Sequence, residues 1–128
     1  VTDQITPAAT SSKVLVFVSL NLSIGSSTYN CGARLVRGTT AIGSTADSPG
    51  SRMAVFGGGR IDSNYSMEHY TINYLDSPST TSATTYGIQI TNQAGGATTY
   101  VNRTGANNDS SDECRCVSHF TLMELDYS

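Results

Sequence analysis

The side chains in this sequence that could do chemistry are few and scattered. His69 and His119 are the only histidines, and together with Cys31, Cys114 and Cys116 they supply the imidazole and thiolate ligands that zinc prefers. Cys114-Arg115-Cys116 lacks the two-residue gap usual between zinc cysteines, so ordinary roles are expected: one histidine exposed, the other hydrogen-bonded locally. A bridge within Cys-x-Cys needs strained geometry, and pairing of either cysteine with Cys31 stays open. The run Asn107-Asn108-Asp109-Ser110-Ser111-Asp112-Glu113 gathers oxygen atoms of the kind calcium takes, with Asp109, Asp112 and Glu113 as the weak calcium candidates. It lacks the twelve-residue spacing of an EF-hand and has equally the composition of a solvated turn. No Gly-x-Ser-x-Gly elbow marks a nucleophile, and Glu68, Glu113 and Glu124 with scattered aspartates suggest no carboxylate pair flanking a sugar. The chain is therefore expected not to be an enzyme and to use no cofactor or resident metal.

Seven tyrosines without a tryptophan raise a different possibility, because an aromatic ring beside Asn, Asp or Arg is a common way to hold a sugar. In Arg60-Ile61-Asp62-Ser63-Asn64-Tyr65 that combination falls in a polar loop, so Tyr65, Asn64, Asp62 and Arg60 are the candidate glycan contact. Tyr70, Tyr74 and Tyr86 lie on the apolar side of alternating segments and are expected to pack in the core. Four Asn-x-Ser/Thr triplets, at Asn21, Asn64, Asn102 and Asn108, are expected by chance in a chain so rich in Ser, Thr and Asn.

The elements that must position these residues are strands. At 128 residues the chain has the size of one domain able to bury its own core. Charged residues are only 13%, and 18 Ser, 17 Thr and 12 Gly favour strands and turns over helices. One Lys and six Arg against ten carboxylates give a net charge of −3, which leaves no basic footprint for a phosphate backbone, so nucleic acid is excluded as the expected partner. No apolar run approaches the roughly 20 residues of a membrane span, so membrane insertion is not expected. The chain opens at Val1 without the charged-then-apolar pattern of a signal peptide; the expectation is a soluble protein, with a processed or excised C-terminal piece of a longer one as one origin and an export signal outside these residues left open.

Period-two alternation is strongest over 13–24, where Val14, Val16, Val18, Leu20, Leu22 and Ile24 share one face, while Leu15 and Phe17 suggest that the first half is covered on both faces. Further strands are expected at 29–37, 41–42, 53–56, 67–75, 84–92, 98–103 and 116–125. Turns fall at Gly25-Ser26-Ser27, at Pro49-Gly50, at Gly57-Gly58-Gly59 and at Gln93-Ala94-Gly95-Gly96-Ala97. About eight short strands without a helix predict an antiparallel β-sandwich of jelly-roll type over 13–128, with a barrel as the rival. Residues 1–12 are expected to form an extended arm, mobile or packed on a neighbouring subunit.

Three motifs then acquire meaning together: Tyr70-Thr71-Ile72-Asn73-Tyr74-Leu75-Asp76-Ser77-Pro78 with Thr80-Thr81-Ser82-Ala83-Thr84-Thr85-Tyr86; Tyr100-Val101-Asn102-Arg103-Thr104; and Phe120-Thr121-Leu122-Met123-Glu124-Leu125. In this order they resemble the C-terminal β-sandwich domains of virion proteins from marine, largely cyanobacteria-infecting tailed phages, and the opening segments Ser12-Lys13-Val14-Leu15-Val16 and Arg34-Leu35-Val36-Arg37-Gly38 fit as well. The resemblance implies a homotrimer exposed on the particle as a tail-fibre tip, head fibre or capsid decoration, assembled in the host cytoplasm beside other virion proteins; a host-surface glycan is the contact expected from the Tyr65 loop. Cys114-Arg115-Cys116 stands where relatives usually carry Gly, Ser and Thr, and Asp126-Tyr127-Ser128 extends past the usual ending. The alternative expectation is a free carbohydrate-binding module with no virion role.

Overall fold

Twelve residues of sustained alternation make β2 (Lys13–Ile24), the longest strand, and the rest of the chain is arranged around it and its partner β3 (Tyr29–Arg37). The computed structural model describes residues 1–26, 29–44, 50–93 and 97–127. The expected turn positions Ser27, Pro49, Ala94, Gly95 and Gly96 lie outside the described residues. The remaining strands are β1 (Thr2–Ile5), β4 (Thr40–Ile42), β5 (Gly57–Ile61), β6 (Glu68–Asp76), β7 (Thr84–Asn92), β8 (Thr99–Val101) and β9 (His119–Leu125). Among the described residues there is no helix, and the fold is all-β with two antiparallel sheets.

The first sheet runs β1-β7-β3, with β4 and β5 lying end to end along the far side of β3. The second runs β6-β2, with β8 and β9 sharing the other side of β2: Lys13 to Ser19 pair with β9, and Leu22 to Ile24 pair with β8. Each sheet thus has one long central strand whose free flank is filled by two shorter ones. The even-numbered apolar residues of β2, from Val14 to Ile24, are all buried and meet Cys31, Ala33, Leu35, Ile61 and Tyr86 from the opposite side. Removing each large aliphatic side chain from water is worth roughly 1.5–3 kcal/mol, so this row is the main gross contribution to holding the layers together.

A polar pin joins the sheets at one end. Arg37 at the close of β3 donates from one terminal nitrogen to both carboxylate oxygens of Asp76 at the close of β6 (2.8 and 2.7 Å), and the Tyr86 hydroxyl from β7 donates to the same carboxylate at 2.6 Å. Asp76 is buried, and burial together with this bond pushes the Tyr86 phenol well above its ordinary value.

Three expectations are corrected. Residues 1–12 are not wholly a loose arm, because β1 pairs with β7 from Thr2↔Gly87 to Ile5↔Thr84, and Glu124 accepts from the Ala8 amide at 2.7 Å. No strand forms at 53–56, and the turn expected at Gly57-Gly58-Gly59 is a strand instead: the glycines open β5, paired with β3 through Gly32↔Gly58 and Cys31↔Gly59. A β-carbon on Gly57 would stand 2.8 Å from the Tyr70 ring, so that position has no room for one, and a β-carbon on Gly58 would press on Val55 at 3.1 Å, whereas Gly59 has space. Finally, the first half of β2 is not covered on both faces. Phe17 is 38% exposed, whereas Asn21 and Ser23 in the second half are buried.

Candidate functional site

The cover over the second half of β2 comes from the β8–β9 connection, and the motif Asn102-Arg103-Thr104 is its hub. Asn102 adopts a left-handed φ of 64°, a conformation Asn tolerates, and turns the chain out of β8. Its amide donates to the Asn21 carbonyl, its carbonyl accepts from Cys116 N, and its side-chain oxygen accepts from the Ser118 hydroxyl. The Asn21 side chain donates to the Val117 carbonyl at 2.9 Å, and the Ser23 hydroxyl donates to the Arg103 carbonyl. The Arg103 guanidinium lies over the Tyr100 ring at 3.7 Å, a cation–π contact. Thr104, buried, donates its hydroxyl to Glu113, and a β-carbon on the next residue, Gly105, would collide with the Ile24 carbonyl.

Beyond this hub lies the acidic loop. Glu113 accepts from Thr104, from the Asn107 amide at 3.0 Å and from the Asn108 side chain at 3.2 Å, and these bonds, the Thr104 one foremost, hold its carboxyl below the ordinary carboxylate range. Of the calcium candidates, Glu113 is thus committed to loop donors, while Asp109 and Asp112 are exposed. Among the described residues no three of His, Cys, Asp and Glu converge on one point. Cys31 is buried in the core, and its thiol is raised by that burial; Cys114 and Cys116 are exposed, and all three are free thiols. His69 contacts the Asn21 side-chain oxygen at 2.9 Å, and His119 is exposed.

Of the candidate glycan contact, expected wholly in a loop, Arg60 instead lies within β5, paired with Asn30, while Asp62, Asn64 and Tyr65 follow in the connection to β6. Tyr65 is 51% exposed, as a ring-presenting loop residue should be. Arg60 and Asp62 are spent on each other in an exposed ion pair, Nε to Oδ1 2.6 Å, which is worth little to stability. Asn64 is half-buried, and its carbonyl accepts from Ala106 N, which docks this loop on the β8–β9 connection. Tyr70 and Tyr74 pack against the core, and Tyr86 belongs to it.

A surface not singled out by the sequence lies on the outer side of the β6-β2-β9 sheet. Leu15 is opposite Leu75 on one side and Met123 on the other, and Phe17 follows one row along between Asn73 and Thr121. Leu75 is 43% and Met123 48% exposed, so an apolar row crosses three strands with nothing over it among the described residues. At its end Lys13 lies 5.4 Å from the Tyr127 ring.

No protein-family model, curated protein or solved structure matches this chain.

Proposed function

We propose that this chain is a non-enzymatic display domain of a tailed-phage particle, homotrimeric, serving as a fibre tip, head fibre or capsid decoration and contacting host-surface glycans. The observation that carries the reading is the uncovered row Leu75, Leu15 and Met123 with Phe17. Three copies of this row converging on a three-fold axis would remove it from water, and would also shield β6 and β9, which flank it. The sheet-to-sheet alternation of β5, β6, β7 and β8 supports the jelly-roll connectivity of such domains. A surface rich in Ser and Thr with a single Lys suits repeated display.

Light scattering on the chain as it elutes from a sizing column tests the assembly. Three chain masses for the wild type, with Met123→Lys solitary yet still folded as an all-β chain by circular dichroism, is the expected pair of results. A solitary wild type at high concentration removes the reading, and a trimeric Met123→Lys moves the interface off this face. Labelling of intact particles by antibody to the chain, with blocked adsorption when purified protein is added, tests the virion role; a solitary chain that binds glycans favours the free carbohydrate-binding module instead.

A further inference from the structure

The outer face of the other sheet carries two clefts that meet at Met53 and Val55, where the segment leading into β5 crosses the sheet. The first, about 540 Å³, is lined by Arg34 of β3 and by Gln89 and Thr91 of β7; the second, about 380 Å³, by Asn30, Gln93 and Arg52. Both volumes fall in the range of about 300–1,000 Å³ common to ligand sites. From this face we infer that the paired clefts bind an anionic saccharide polymer, one whose sugar rings carry carboxylate or sulfate groups.

The charge of the clefts favours an anion. Among the described residues no Asp or Glu lines either cleft, and neither Arg34 nor Arg52 has a carboxylate partner, although the chain as a whole is acidic. Arg34 is also pre-set for an anion. Its Nε donates to the Gln89 side-chain oxygen at 2.7 Å, which fixes the guanidinium plane and leaves both terminal nitrogens for a bidentate acceptor.

Polar chemistry narrows the class. The Gln89 amide nitrogen, the Thr91 hydroxyl and the free halves of the Asn30–Gln93 amide pair offer donors and acceptors suited to sugar hydroxyls. Met53 and Val55 supply an apolar ridge for the C–H faces of rings. Among the described residues no aromatic side chain lines either cleft, so a neutral sugar has no ring to stack on and single-stranded nucleic acid has no platform for its bases. The first cleft lies over β3 and β7 inside the sheet, where an acidic peptide gains no backbone pairing; only the second reaches the edge, at Gly58 and Gly59 of β5.

The inference rests on the particle-display reading for its setting, but binding is measured on the purified chain, so failure to bind and failure to self-associate are separate results. Calorimetric titration with alginate (uronate polymer) and dextran sulfate (sulfate polymer) distinguishes the two anion types, with unmodified dextran, polyglutamate and a single-stranded oligonucleotide as controls. Binding to at least one acidic polysaccharide, absent for dextran and weaker for the other polyanions, is expected. Arg34→Gln should weaken it by about tenfold or more, and Arg52→Gln should do likewise; both side chains are on the surface, so melting temperature should not change. No binding to either acidic polysaccharide, equal binding of polyglutamate or oligonucleotide, or full binding by the double variant would each overturn the inference.

Discussion

Asp76 shows how one carboxylate can hold a two-layer fold at its end. It belongs to one sheet, while Arg37 and Tyr86 are cross-strand partners in the other, so its oxygens receive donors from two strands at once. Asp76→Ala removes the acceptor and leaves a guanidinium and a phenol facing each other across the vacated space. Because the Arg37 side chain keeps 32% of its exposure, water can recover part of the loss. We expect a cost of about 3 kcal/mol, at the lower end for a broken buried pair, whereas Tyr86→Phe, which leaves the Arg37–Asp76 pair intact, should cost about 1 kcal/mol. Urea unfolding followed by circular dichroism measures both, and equal costs would mean that the pin is not a shared acceptor. The sequence marks Asp76 only as a residue before a Pro turn; its role depends on which strand ends meet across the layers, and no local pattern encodes that.

At the scale of the element, alternation is legible wherever one face alone is buried. β2, β3, β6 and β7 fall close to where period two puts them, with the expected residues inward, because the core selects every second side chain. β5 escapes the same reading. Its glycines carry no side-chain signal, and the usual meaning of a glycine run is a turn; here their smallness lets Tyr70 press on one face and Val55 on the other. Gly57→Ala should therefore cost about 2 kcal/mol, more than a surface alanine on any exposed strand, and a melting curve indistinguishable from wild type would show that Tyr70 can yield. The second cover over β2 lies at its far end, not over the first half as its sequence predicts, for a related reason. Leu15 and Phe17 are apolar yet outward, while polar Asn21 and Ser23 are buried because the β8–β9 connection bonds to them. Of the candidate site, Tyr65 was legible as an exposed ring, but the Arg34–Gln89 pairing was not, since it depends on the β3–β7 register between segments far apart in sequence.

For the molecule as a whole, the two outer faces differ in kind: one presents Leu15, Phe17, Leu75 and Met123, the other Arg34, Arg52 and side-chain amides. These surfaces answer oppositely to salt. Apolar burial is insensitive to charge screening and is strengthened by strongly hydrated salts such as sulfate. Attraction between arginines and a polyanion decays over a screening length of about 8 Å at physiological ionic strength, and about 3 Å at 1 M. The proposed self-association should accordingly persist, or tighten, as ammonium sulfate is raised, while the proposed polysaccharide binding falls away over the same range. Sedimentation and calorimetry on one preparation follow both quantities. If assembly dissolved with added salt, the apolar row would not be its seam, and if polysaccharide binding survived, the arginine face would not be its site.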